Sequence, residues 1–279
     1  MMDCNNAAPS SFAHTVQPDL THAIEMVAAS DTGRVRPNNE DAVFADARLG
    51  LAVLADGMGG HNAGEVASRM AITAIGSELT HAFATIPPHR PTPQGGPYAR
   101  EVLVDVIERT NAAIHLAARQ NRHYAGMGTT LVAVQFFDDR LVVAHVGDSR
   151  LYRLRLGELV CLTRDHSFLQ EQLDMGMIAP EQARHSPYRY LVTRALGAET
   201  EVVPDVAEHA VEPGDLYLLC SDGLHDMVDD REIAVILEEF SADLPRCAAQ
   251  LIETANRHGG RDNVSVILAK IKQAFPAPA

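Results

Sequence analysis

Apolar residues fall into two kinds of run along this chain. Short runs bounded by Gly, Asp or Asn predict strands at residues 23–30, 49–55, 129–137, 140–146, 149–156, 158–162, 215–220 and 263–271, with 41–45 as a hairpin neighbour of 49–55. Longer runs at helical spacing predict helices at 63–83, with Val66, Met70, Ile72, Ile75 and Leu79 on one side, and at 98–119, with Val102, Val106, Ile107, Ile114 and Leu116 apolar. Residues 230–240 and 243–258 predict two more helices. Asp138-Asp139 and Leu156-Gly157 read as tight hairpin turns. Five prolines and two glycines make residues 86–97 a surface loop, to which the sequence assigns no role. Residues 165–197 are polar and lack a long apolar run, so they read as an irregular flap between strands. Residues 1–20 and 273–279 read as tails around a single domain spanning 21–272.

Strand hairpins with helices paired in sequence predict an α+β fold, an antiparallel sandwich flanked by helices. Regular β-α-β alternation is missing, which argues against a doubly wound parallel sheet, and no Gly-rich nucleotide loop ending in Gly-Lys-Ser/Thr is present. The length of 279 residues with 46% hydrophobic content suits a domain whose core needs no disulfide. The net charge of −14 argues against nucleic acid or an anionic membrane as partner, and is compatible with a carboxylate cluster that cations would neutralise. Cys4, Cys161, Cys220 and Cys247 form no close pair, which excludes zinc-site spacing and a disulfide framework; Cys161 and Cys220, in apolar runs, read as buried reduced thiols. The first residues lack the basic and apolar segments of a signal peptide, and no apolar run reaches the roughly 18 residues of a membrane span, so a cytoplasmic location is expected.

Four aspartates stand beside glycine or at a strand end: Asp56 in Asp56-Gly57-Met58-Gly59-Gly60-His61, Asp148 in Gly147-Asp148-Ser149, Asp222 in Ser221-Asp222-Gly223 and Asp262 in Gly259-Gly260-Arg261-Asp262-Asn263. Taken singly, each Asp-Gly is an ordinary turn, and His61, His145, His166 and His225 are ordinary structural or exposed histidines. Taken together, carboxylates with the Gly57 carbonyl form a hard oxygen donor set that selects magnesium, manganese or calcium over zinc and copper. Two such ions roughly 3.5–4 Å apart can share a water and lower its pKa toward neutral. Asp56, with two carboxylate oxygens, is the natural bridge. Arg34 and Arg36 precede Glu40 and Asp41, and an arginine beside a cation cluster makes sense when an anion such as a phosphate monoester lies between them.

The ordered set Arg36-Pro37-Asn38-Asn39-Glu40-Asp41, Asp56 to His61, Gly128-Thr129-Thr130, Val146 to Arg150, Leu162 to Ser167, Ser221 to Leu224 and Asp262 to Ser265 resembles the metal-dependent protein phosphatases of type 2C, in their bacterial branch. The resemblance covers about residues 22–271. It implies a four-layer α/β/β/α sandwich, two antiparallel sheets flanked by helix pairs, with a manganese or magnesium centre of two or three ions at one end. It implies hydrolysis of phosphoserine and phosphothreonine by a water bridging two ions. By position, Asp56 would bridge, Gly57 would offer its carbonyl, and Asp222 and Asp262 would hold the other ion. Asp148 with Asp222 would form a third site, Arg36 would bind phosphate, and Glu40 and Asp41 would hold waters of the centre. The implied partners are phosphorylated proteins, a serine/threonine kinase and its substrates, with the chain a monomer. Many eukaryotic relatives carry a proton-donating histidine where this chain has Met58; His61 stands three residues later as a candidate acid. The competing classes are a catalytically dead phosphoprotein-binding module and a structural calcium protein. The first would lack metal ligands. The second leaves Arg36 unexplained, and the EF-hand loop is absent.

Overall fold

The computed structural model describes residues 19–59, 63–179, 188 and 191–275. Ten strands build two antiparallel sheets, and a short eleventh, β4, pairs on the end of one of them. The first sheet has the order β1 (Ile24–Asp31), β11 (Val264–Ile271), β10 (Leu216–Cys220), β7 (Arg150–Arg155) and β8 (Glu158–Cys161). The second runs β2 (Asp41–Asp46), β3 (Leu51–Met58), β5 (Leu131–Phe137), β6 (Arg140–Val146) and β9 (Asp205–Ala210), with β4 (Gly128–Thr129) on the end of β3. Both hairpin turns read from the sequence have the left-handed backbone that a two-residue turn demands, with φ of 46° and 56° at Asp138 and Asp139 and 50° and 80° at Leu156 and Gly157.

Strand side chains alternate faces, and in the central strands β3, β5, β6, β10 and β11 both faces are buried, which is why these strands read as unbroken apolar runs. Along β10, Tyr217 and Leu219 point into the core between the sheets, while Leu216, Leu218 and Cys220 point to the outer core. Along β3, Ala52 and Leu54 join the central core and Leu51, Val53 and Ala55 the opposite one. Helices α1 (Ala63–Thr85) and α2 (Tyr98–Gln120) cover the second sheet. After the short α3 (Phe168–Asp174) and α4 (Asp222–His225), helices α5 (Asp230–Phe240) and α6 (Leu244–Arg257) cover the first. The four-layer α/β/β/α sandwich follows.

The structure corrects several sequence readings. On α1 the buried stripe is Ala63, Ala67, Ala71, Ile75 and Leu79, whereas Val66, Met70 and Ile72 are only partly buried. Alanines at four-residue spacing let the helix lie close on the sheet, and the larger side chains pack around that contact. Leu116 is 55% exposed. Leu20, at the end of the segment read as a tail, is buried and donates its N–H to the Arg48 carbonyl; Phe275 is likewise buried, and its N–H donates to Asp139 Oδ1. Cys161 is exposed on the edge strand β8, while Cys220 and Cys247 are buried and free. Among the described residues no helix is long and apolar enough to cross a membrane.

The N-terminus of α1 presses on the end of β3: a Cβ at Gly57 would fall 2.2 Å from the Gly64 carbonyl oxygen. Replacing glycine by alanine where space allows stabilises by restricting the unfolded chain. Gly57→Ala is therefore expected to do the opposite in metal-free protein, lowering stability by about 1–3 kcal/mol in urea unfolding; unchanged or increased stability would contradict this packing.

Candidate metal centre

One end of the sandwich gathers the polar chain. In the β2–β3 ladder, Asp41 and Asp56 are direct cross-strand partners. Thr129 and Thr130 fix the Asp56 backbone: the Asp56 N–H donates to Thr130 Oγ1 at 3.1 Å, and the Thr130 N–H and Thr129 hydroxyl donate to the Asp56 carbonyl at 2.8 and 2.9 Å. Thr130 Oγ1 also lies 2.7 Å from Ser149 Oγ, which ties this strand end to the turn carrying Asp148. On the other sheet, Ser221 caps α4, donates its hydroxyl to Asp41 Oδ2 at 2.8 Å and accepts the Ser265 N–H at 3.0 Å. Asp222 follows as the first residue of α4.

Asn263 braces the rim. Its Nδ2 donates to the Thr32 and Asn38 carbonyls at 2.9 Å, and its Oδ1 accepts the Glu40 N–H at 2.8 Å. This holds the 32–40 loop against the loop that bears Asp262. Gly223 must be glycine in this arrangement, because a Cβ there would meet the Asn263 carbonyl oxygen at 1.9 Å. Arg36 donates from Nη2 to Asp262 Oδ2 at 2.6 Å.

These residues line a cavity of about 820 Å³ that includes Arg36, Glu40, Asp56, Gly57, Asp148, Asp222 and Asp262. Asp41 is half-buried and is not among the residues that line it. His61, the candidate acid, lies outside the described residues; Met58 lines the cavity. Asp226, Met227, Asn263 and Thr130 also line it. Sequence reading did not single out Asp226, although its position four residues after Asp222, one helical turn on, was a usable signal. The bracing role of Asn263 had no such signal, because it is set by loops distant in sequence.

Burial and mutual repulsion dominate the electrostatics. Burial pushes Asp56 well above the ordinary carboxylate range, and Asp41, Asp222, Asp148 and Asp262 push it further. Asp222 is raised well above that range by burial and then by Asp148 and Asp262. Burial raises Asp41 to about 6 and, with Asp165 adding, Asp148 to about 7. Arg36 is held more firmly protonated, first by its bond to Asp262 and then by the charges of Asp222 and Asp56. Asp41 Oδ1 and Asp222 Oδ1 are buried without a hydrogen-bond partner. Unpartnered buried carboxylate oxygens are costly unless a cation or a proton meets them, and an all-oxygen donor set fits hard divalent ions.

The protein phosphatase 2C family signature matches residues 34–268. The chain belongs to the protein phosphatase 2C family. Within that family, it is 42% identical over 252 residues to the serine/threonine protein phosphatase PstP of Mycobacterium tuberculosis, covering 90% of this chain and 46% of that protein, so it spans about half the length of that relative. It is 36% identical over 255 residues to the protein phosphatase PhpP of Streptococcus pneumoniae, covering 90% of this chain and 98% of that one. Among solved structures, the PstP phosphatase of Mycobacterium tuberculosis superposes with a TM-score of 0.80 at 42% identity over 90% of this chain and all of that chain. The PstP catalytic domain in complex with two manganese ions superposes with a TM-score of 0.78 at 41% identity over 90% of this chain and 99% of that chain.

A carboxyl whose folded pKa lies above its unfolded value keeps protons that the unfolded chain has released, so its contribution to stability falls as pH rises through that interval. Asp148 at about 7, with Asp56 and Asp222 also raised, extends this loss beyond neutrality. Buried His225, pushed down to about 3, acts only on the acid side of the ordinary histidine range. The metal-free protein is therefore expected to melt at a lower temperature near pH 9 than near pH 7, by about 2 °C for each kcal/mol lost, and saturating magnesium should abolish most of the difference. Equal melting temperatures at the two pH values without metal would contradict the mutual repulsion.

Proposed function

We propose that this chain is a metal-dependent phosphoprotein phosphatase acting on phosphoserine and phosphothreonine, with two or three manganese or magnesium ions held by its own oxygens. The observation that carries this reading is the convergence of Asp56, Asp148, Asp222 and Asp262 on one cavity with Arg36 at its rim. Asp56, the Gly57 carbonyl, Asp222 and Asp262 would hold the ions, with Asp148 and Asp222 available for a third. When bound, the ions supply a nucleophilic water near neutral pH and offset the phosphate's negative charge.

The protein's own part is positioning. A guanidinium carries five N–H donors, so the Arg36 bond to Asp262 leaves donors free for non-bridging phosphate oxygens. Asp41, fixed by the Ser221 hydroxyl, and Glu40, on the cavity wall with a carboxyl raised by burial, would hold waters of the centre. Met58 has no proton to give, which leaves His61 or a water held at the centre to protonate the departing serine or threonine oxygen. The proposed substrates are proteins phosphorylated by a bacterial serine/threonine kinase, and the proposed setting is signalling in the cytoplasm by a monomer. The two manganese ions in the PstP complex support the choice of metal.

Manganese-dependent hydrolysis of p-nitrophenyl phosphate tests this. Asp56→Asn and Asp222→Asn are each expected to lower kcat by about a thousandfold or more, the several kcal/mol a catalytic metal supplies. Full activity of either variant at saturating manganese would overturn the ligand assignment. Arg36→Ala should lower kcat/KM by about 10- to 100-fold, mainly through KM, as expected for one charge-assisted contact; a fall confined to kcat would contradict a phosphate-binding role.

A further inference from the structure

Away from the proposed ligands, His145, His166 and Asp205 bring their ligand atoms within 4.8 Å of one another, with the two imidazoles stacked. Two imidazoles and a carboxylate would fit a transition metal, but the hydrogen bonds assign the ring nitrogens otherwise. The Gly147 N–H donates to His166 Nδ1 at 3.1 Å, so the neutral ring carries its proton on Nε2, which lies 3.4 Å from Asp205 Oδ2 and 3.5 Å from Arg194 Nη1. His145 Nε2 lies 2.8 Å from the Arg164 carbonyl, which can only accept, so that nitrogen is protonated too. A metal on His166 Nε2 would force a proton onto Nδ1, against the Gly147 N–H.

The same bonds point to a different task. The His166 N–H donates to the Gly147 carbonyl at 2.9 Å, so one residue holds both backbone polar groups of Gly147. Gly147 has a φ of 104°, and a side chain there would strike Thr130 at 2.7 Å, so this turn has a conformation that needs holding. Asp148 is the next residue. Its carbonyl accepts from His225 Nε2 at 3.1 Å on the other side. The His166 carbonyl accepts the Thr193 N–H at 2.8 Å, and two residues on the Phe168 N–H donates to the Leu191 carbonyl at 2.8 Å, so the two ends of the flap meet at and beside His166.

We propose that His166 is a positioning residue that clamps the Gly147-Asp148 turn and thereby sets where the Asp148 carboxylate stands in the cavity, linking it to the base of the flap. The proposal rests on Asp148 acting as a metal ligand under the function proposed above. His166→Asn places a carbonyl oxygen near the position of Nδ1 and keeps the bond from Gly147; His166→Gln places it near Nε2 and does not.

In the full-length metal-free chain, hydrogen exchange at the Gly147 amide, read by NMR, should stay within about threefold of native in His166→Asn and rise about tenfold or more in His166→Gln. In calorimetric titration with manganese, the weakest binding event should weaken about 10- to 100-fold in His166→Gln, stay near native in His166→Asn, and vanish in Asp148→Asn. Equal exchange in the two His166 variants overturns the clamp whatever the metals do. Different exchange with all binding events intact in Asp148→Asn overturns the role of Asp148 instead, and different exchange with unchanged manganese binding in His166→Gln breaks the link between them. Should His166→Gln not fold, the ring nitrogen shifts of His166 in the native chain decide: protonated Nε2 with an accepting Nδ1 is expected, and a protonated Nδ1 overturns the clamp.

Discussion

Burying Asp56 and Asp222 within reach of Asp41, Asp148 and Asp262 costs free energy that the polypeptide alone does not return. Arg36 pairs with Asp262, and among the described residues no ion pair joins Asp41, Asp56, Asp148 or Asp222 to a protein cation. The buried, unpartnered oxygens of Asp41 and Asp222 are the sharpest sign of that imbalance. The arrangement becomes favourable once divalent cations stand among the oxygens, because the same repulsion then turns into attraction. Metal held in this one cavity would link folding to metal binding.

The sandwich exists, at this end, to hold those oxygens against their repulsion. Asp56 comes from one sheet and Asp222 and Asp262 from the other, so the register of each sheet and the packing of Tyr217, Leu219, Ala52 and Leu54 between them set the distances across the site. Neutral hydrogen bonds do the local work. Thr130 fixes Asp56, Ser221 joins Asp41 to β11, and Asn263 ties the Arg36 loop to the Asp262 loop. Glycine at 57 and 223 is what lets α1 and the β11 entry approach closely enough. His166 extends the same logic toward Asp148 through its two bonds to Gly147.

Much of this was legible in the chain because strand runs and Asp-Gly turns are local signals. The antiparallel layers and the paired helices stand where the pattern placed them, and seven of the candidate site residues, from Arg36 to Asp262, line one cavity. What was not legible depends on partners far away in sequence. The sheet-facing stripe of α1 is alanine-rich and so invisible to a search for large apolar residues. Leu20 and Phe275 look like parts of tails until the hairpins that receive them are in place. Cys161 reads as buried until β8 is seen to lie at a sheet edge. Asn263 and His166 act through hydrogen bonds to loops that spacing does not reveal, and histidine in a polar segment reads as ordinary.

The most direct test of a metal centre at this end of the sandwich is a crystal of the protein soaked with manganese, with an anomalous difference map recorded at the manganese edge. Two strong peaks should flank the Asp56 carboxylate, one of them also within coordination distance of Asp222 and Asp262. A map with no peak beside Asp56, or with peaks only at the His145–His166–Asp205 group, would contradict it.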